Sequence, residues 1–435
     1  MSQNDSDTGD DTAGKLNAKL NQDGKKPHEV IADVKRRADE GPILLQYSFR
    51  PFFMFAGMWA ALAIPLWLAT FAGFPIIPDS IDPVIWHQHE MLFGFAAAAI
   101  TGFILTAIPN WTGRLPVSGW RLGVLVGLWV LGRAAMLLSG FIGPIATAIF
   151  DLAFLTLLSS MIGRELVSGK NWRNLPVLAL ITLFTAGNFM VHSETTGIAE
   201  LATEGIRLSI FVLAVLVALI GGRIVPSFTR NWLKRKGETS LPAPIDNLDK
   251  AALAAIVLVL IFQAIWPDNQ VTAAITLLAG VLHAVRLARW KALLVLSEPL
   301  MWVLHLGYAW IVVGLFLIGL AGFVENIPES AAFHALTTGG FGTMIVAVMT
   351  RASLGHTGRD LTANTGTTVV FILIAVAALS RVVAPFLDDA QMLGLWISGS
   401  AWTAAFVLYS IVYWPVFTQP RVQQRMPNPG YNLEK

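Results

Sequence analysis

Twelve long apolar runs separated by short polar loops dominate this sequence, and they leave few folds open to it. The runs fall near 51–71, 87–109, 118–138, 141–162, 174–192, 205–225, 249–266, 270–289, 299–321, 331–351, 366–386 and 391–415. At about 1.5 Å per residue, a helix of this length crosses most or all of the roughly 30 Å hydrocarbon core of a bilayer. Lipid offers no partner to a bare backbone, so only helices and closed barrels span it. Of the 435 residues, 55% are hydrophobic and 13% charged, about half the charge of a soluble domain. The chain reads as an all-α integral membrane protein. Pro51, Pro176 and Pro299 stand at the starts of spans 1, 5 and 9, where proline is tolerated. That recurrence points to three four-helix units.

The flanks differ in kind. Residues 1–41 are polar and without apolar periodicity, which predicts a disordered tail with no secretory signal core. The membrane domain is expected over 42–420, with a short tail at 421–435. Loops after even-numbered spans carry Arg114, Arg164, Arg230, Lys234, Arg286, Arg289 and Arg359, whereas loops after odd-numbered spans carry Asp79, Asp82, Glu194, Asp268, Glu325 and Asp388. By the positive-inside rule both termini are cytoplasmic. The net charge of +2 comes from these loops and implies no nucleic-acid partner; lipid is the expected surroundings.

Span 2 has an internal echo. The stretch WHQHEMLFGFAAAAITGFILTAIPNWTGR, Trp86 to Arg114, aligns with HALTTGGFGTMIVAVMTRASLGHTGR from His334. Aligned on His89 and His334, Gly94 meets Gly339 and the closing Thr112 to Arg114 meets Thr357 to Arg359 without a gap. A fainter third copy ends at Val225 to Arg230, has no histidine at its start, and carries Arg207. Repeats are a common way to build membrane proteins, with sites where they meet.

The charge rule fixes depth. His87, His89 and Glu90 open span 2, His334 opens span 10, and Asn188 and His192 close span 5, so all lie near the outer face. His283, His305 and His356 fall towards the inner face. Helix capping accounts for any one of these histidines; several at one depth on separate spans also suit a metal or haem. Arg133, Arg207 and Arg381 are the basic residues away from the cytoplasmic side. Arginine in hydrocarbon costs several kcal/mol unless paired or hydrated. Glu90, Asp151 and Glu204 are available as ion-pair partners, and an anionic ligand such as a haem propionate is the alternative. His87 and His89 are two apart, so they point about 200° from each other and cannot serve one iron. Glu90 shares the face of His87, and those two, or His192, could hold a copper or iron ion. With no cysteine, thiolate clusters and covalent haem attachment are excluded and any haem is non-covalent, b-type in expectation.

At these residues the chain resembles the NnrS family of bacterial inner-membrane proteins. The matching stretches are Arg50 to Phe53, Trp86 to Arg114, Glu298 to Trp302 with His305 to Tyr308, and His334 to Arg359. The resemblance implies about twelve spans, haem and copper, and a role in resistance to nitric oxide and nitrosative stress. The span arrangement is also similar to the catalytic subunit of haem–copper oxidases, where spans 2 and 10 hold a low-spin haem. This chain departs from that pattern in having no histidines on spans 6 and 7 and no second histidine near His334. The expectation is that His89 and His334 ligate one haem, with Arg133, Arg207 and Arg381 near it. Nitric oxide is then the ligand, and redox chemistry on it with an electron donor is an open possibility. A secondary transporter without haem is the competing function.

Overall fold

The computed structural model describes residues 41–422; the expected tails lie almost wholly outside the described residues. Among the described residues the secondary structure is helical throughout. Twelve helices are long and apolar enough to cross a membrane. They are α1 (Phe49–Phe71), α2 (Pro83–Thr112), α3 (Trp120–Leu137), α4 (Pro144–Ser168), α5 (Trp172–Thr195) and α6 (Ala202–Arg235), then α7 (Asn247–Ile265), α8 (Gln270–Ala288), α9 (Pro299–Ala321), α10 (Glu329–His356), α11 (Thr365–Phe386) and α12 (Gln391–Thr418). The chain is an all-α polytopic membrane protein.

Helix starts follow local chemistry. The side chain of Asp82 accepts from the backbone N–H of Val84 and Ile85 at 2.8 and 3.1 Å, with Pro83 at the first helical position. Asn269, Glu298 and Asn364 cap α8, α9 and α11 in the same way. Asp246 and Asp249 form a capping box on α7. Each device satisfies amide groups that the first turn leaves without partners. Outside the spans, hydrogen bonding to Arg289 pulls the Asp246 carboxyl down to about 2, so this cap stays charged at neutral pH.

Burial sorts the helices. In α2, α6 and α10 the spanning window is 72, 67 and 67% buried, against 39% for α3, α4, α7, α8, α11 and α12. The helices carrying the three copies of the repeat are thus the central ones, four apart in the chain. They converge on an apolar recess walled by Ala99, Leu216 and Met344. The repeat extends to an irregularity. Directly after His89 the backbone is π-helical over Glu90–Ala96, and directly after His334 it is π-helical over Ala335–Gly342. A π turn carries one extra residue, breaks the regular i−4 ladder, and concentrates at functional sites. The aligned glycines sit within these segments, and each is pressed against a tryptophan. A Cβ on Gly94 would lie 2.6 Å from Trp59 Nε1, and one on Gly339 would lie 2.6 Å from the Trp310 ring.

The first and last spans close the bundle. α12 packs on both α11 and α1. The buried guanidinium of Arg50 reaches the carbonyls of Val416, Phe417 and Gln419 at 3.1, 2.8 and 2.8 Å. These belong to the last turn of α12 and just beyond, whose carbonyls have no helical partner. Replacing Arg50 by Ala leaves them bare and is expected to cost about 2–3 kcal/mol. Thermal unfolding of the detergent-solubilised variant, followed by tryptophan fluorescence, checks this; an unchanged midpoint would refute the strut.

Candidate functional site

Two polar groupings lie at one end of the bundle, the end where α1–α2, α9–α10 and α11–α12 are joined by acidic loops. They divide the histidines between them.

The first grouping is closed and lies among α2, α3, α4 and α5. His89 and Glu90 on α2 have no solvent exposure. The His89 ring has Nδ1 3.0 Å from Glu90 Oε1, and its Nε2 is 3.1 Å from Asp151 Oδ2 and 2.9 Å from Asn188 Oδ1. Arg133 on α3 donates to Glu90 Oε2 and to Asp151 Oδ1. Asp151 Oδ2 also faces Asn188 Nδ2 at 2.8 Å and His192 Nε2 at 3.0 Å. Small residues make room for this. A Cβ on Gly94 would come within 2.9 Å of Arg133 Nη1, and one on Gly132 within 2.9 Å of Asp151 Oδ1. One ligand atom from each of His89, Asp151 and His192 lies within 4.8 Å of the others.

The second grouping is open, a cavity of about 550 Å3 bounded by α1, α2, α6, α10, α11 and α12. His87 and His334 face each other in it, ring centroids 6.5 Å apart and planes 10° apart. The Nδ1 of His334 donates to the carbonyl of Ser330 at 2.7 Å. A carbonyl only accepts, so Nδ1 carries the proton and Nε2 keeps its lone pair. His87 is held by the Trp67 ring, stacked at 4.4 Å, and has no hydrogen bond among the described residues. Arg207 and Arg381 line the same cavity. Arg207 has Glu329 at 3.6 Å; Arg381 has no ion pair or hydrogen bond among the described residues. Phe95, Phe341 and Trp402 supply flat apolar walls.

The histidine expected to oppose His334 is therefore the wrong one of the pair: His89 turns away, and His87 stands in its place. The reason is rotational. His334 on α10 faces its successors α11 and α12 along with α1 and α2. His89, its counterpart on α2, faces the successors α3, α4 and α5. Equivalent residues in a rotational repeat look round the ring in the same sense, not at each other. The residue of α2 that looks back at α10 must lie on its opposite face, and His87, about 200° from His89, does. Glu90 sides with His89 and not with His87, as the π turn that begins at Glu90 departs from regular α-helical phase. Arg133 is likewise corrected: it belongs to the closed cluster, apart from Arg207 and Arg381. Glu204, available in sequence as an arginine partner, is replaced by Glu329 for Arg207.

Asp151 is the centre of the closed cluster, and sequence suggested it only as an arginine's partner. Its signal was an acid alone in the apolar run of α4. Asn188 and His192 share a face of α5 by their spacing of four. Of the other described histidines, His283 and His305 are buried polar groups and His356 is exposed. His283 donates through Nε2 to the Ala252 carbonyl and pairs through Nδ1 with the Tyr308 hydroxyl; His305 bonds the Met301 carbonyl; His356 packs on Phe49.

The arginines separate in a measurable way. Arg133→Gln strands two buried carboxylates and is expected to cost about 3–5 kcal/mol, seen as lost folded yield. Arg207→Gln and Arg381→Gln, whose side chains border an open cavity, should give near wild-type yield. Equal yields for all three variants would refute this division.

A family model described as NnrS protein matches residues 43–421. No curated protein matches the chain. The match covers nearly all of the described residues, so the chain belongs to the NnrS family.

Proposed function

From membership of the NnrS family, a family of nitric-oxide-related membrane proteins, we propose that this chain binds a non-covalent haem in the open cavity and handles nitric oxide there. The observation that carries the reading is the pair of imidazoles across one cavity. His87 and His334 would hold the haem between them, imidazole nitrogen being a ligand suited to its iron. The separation of 6.5 Å between His87 and His334 fits that arrangement. The tautomer of His334 fits as well, since the Ser330 carbonyl holds its proton on Nδ1 and leaves Nε2 for the metal. The cavity volume suits a ligand of porphyrin size. Arg207 and Arg381 are the charge complement of two propionates.

Such a haem supplies one-electron chemistry at this site. The protein's own contribution is asymmetric. His334 is fixed by a hydrogen bond and His87 only by stacking on Trp67, so His87 is the side chain free to move aside for a small ligand. If the loop charges set the orientation, the cavity lies at the outer face of the inner membrane with both termini in the cytoplasm, and an electron donor approaches from the outer side. Redox turnover of nitric oxide is the enzyme activity that follows from this reading. The family match lends the haem-free transporter no support. Copper has no ligand set left in this cavity.

The purified protein should show a Soret band. His87→Ala and His334→Ala should each abolish or shift it, and His89→Ala should leave its position unchanged. Arg207→Gln combined with Arg381→Gln should weaken haem retention by roughly tenfold, the loss of about one charge-assisted hydrogen bond. A protein without haem after expression with a haem precursor, or a wild-type spectrum in both cavity histidine variants, would overturn the proposal.

A further inference from the structure

From the closed cluster we infer a second, separate site: a divalent transition-metal ion held by His89 Nε2, His192 Nε2 and Asp151 Oδ2. The first argument is hydrogen-bond capacity. A single carboxylate oxygen has two lone-pair positions. Asp151 Oδ2 faces three nitrogens, those of Asn188, His192 and His89, at 2.8, 3.0 and 3.1 Å. His89 Nε2 lies nearer to Asn188 Oδ1, at 2.9 Å, and with its proton on Nδ1 towards Glu90 a neutral ring turns the Nε2 lone pair on both of these oxygens. An ion among the two imidazole nitrogens and Oδ2 removes the conflict, because Nε2 of each ring then gives its lone pair to the metal and donates nothing. Asn188 keeps its bond to the carboxylate.

The second argument is charge. Glu90 and Asp151 bring two negative charges and Arg133 one positive charge, all inside a membrane bundle. The cluster lacks positive charge, and buried charge without compensation is heavily penalised. The excess of negative charge attracts a cation to the ligand atoms.

The third argument is the arrangement behind the ligands. Glu90 Oε1 accepts from His89 Nδ1 at 3.0 Å, which orients the ring and presents Nε2 forward, the usual support for a metal-bound imidazole. His192 Nδ1 is buried without a partner, so nothing obliges Nε2 to carry the proton. Two imidazoles and one carboxylate suit the zinc, copper(II) and iron(II) class and not magnesium or calcium, which take oxygen ligands. The copper that the family resemblance implies fits this donor set.

The site is tested on the full-length protein by stripping with a chelator and titrating with cobalt(II), whose d–d absorption reports imidazole and carboxylate coordination, alongside total metal analysis of the protein as purified. The expected result is about one non-haem divalent ion per chain. His192→Ala should weaken cobalt binding by tenfold or more, and His192→Gln, which keeps a polar side chain in the cluster, guards against a folding defect. Both variants should retain the Soret band, and His87→Ala should retain cobalt binding, so failure here and failure of the haem reading are distinct results. A wild-type protein that takes up no cobalt, or His192 variants that bind it as tightly as wild type, would overturn the inference.

Discussion

Two carboxylates and one guanidinium share the dry interior between α2, α3 and α4, and none of them is tolerable there alone. Glu90 and Asp151 each take one side of Arg133, which ties three helices at one depth. Breaking such a group strands a charge in a medium that cannot solvate it. The rest of this end of the bundle follows from the bond. With Arg133 reaching past Gly94 and Gly132, α2 is fixed in rotation as well as position. Its rotation decides which histidine looks where.

That rotation divides a short sequence between two chemistries. His87 and His89 are two residues apart, yet one faces a 550 Å3 cavity and the other a closed polar cluster. The neighbourhoods differ in what they offer. The cavity provides aromatic walls, two arginines and a histidine with a bare Nε2, the surroundings in which we propose a haem. The cluster provides carboxylates and imidazoles packed within bonding distance, a setting for a single ion. A two-residue spacing on a helix suffices for this because the two faces of α2 border different groups of helices.

The repeat supplies the frame. α2, α6 and α10 are the inner helices, each followed by helices of its own unit, and the π segments of α2 and α10 begin at aligned positions. The surroundings of the equivalent positions differ within that frame. α10 presents its histidine to the cavity, α2 presents the equivalent histidine to the closed cluster, and α6 has no histidine there but contributes Arg207 to the cavity. The repeat gives like positions, and the packing gives them unlike contacts.

Much of this was legible in the residues alone, for physical reasons. Length and hydropathy determine the twelve spans because lipid forces every backbone amide to find an internal partner. Proline marks two of their starts, Pro176 in α5 and Pro299 in α9. That His87, His89, Glu90, His192 and His334 gather at one end was also visible, since the loop charges place them at one depth. Only the tertiary structure decided who meets whom. Sequence alignment equates His89 with His334, but equivalence under rotation places them in different compartments, and no one-dimensional comparison carries that direction. Nor could spacing show that Glu90 leaves the face of His87, because a π turn is a backbone irregularity without a residue code. Asp151 became a centre only when α4 and α5 packed against α2, for a lone acid in an apolar run names no partner until the helices are assembled.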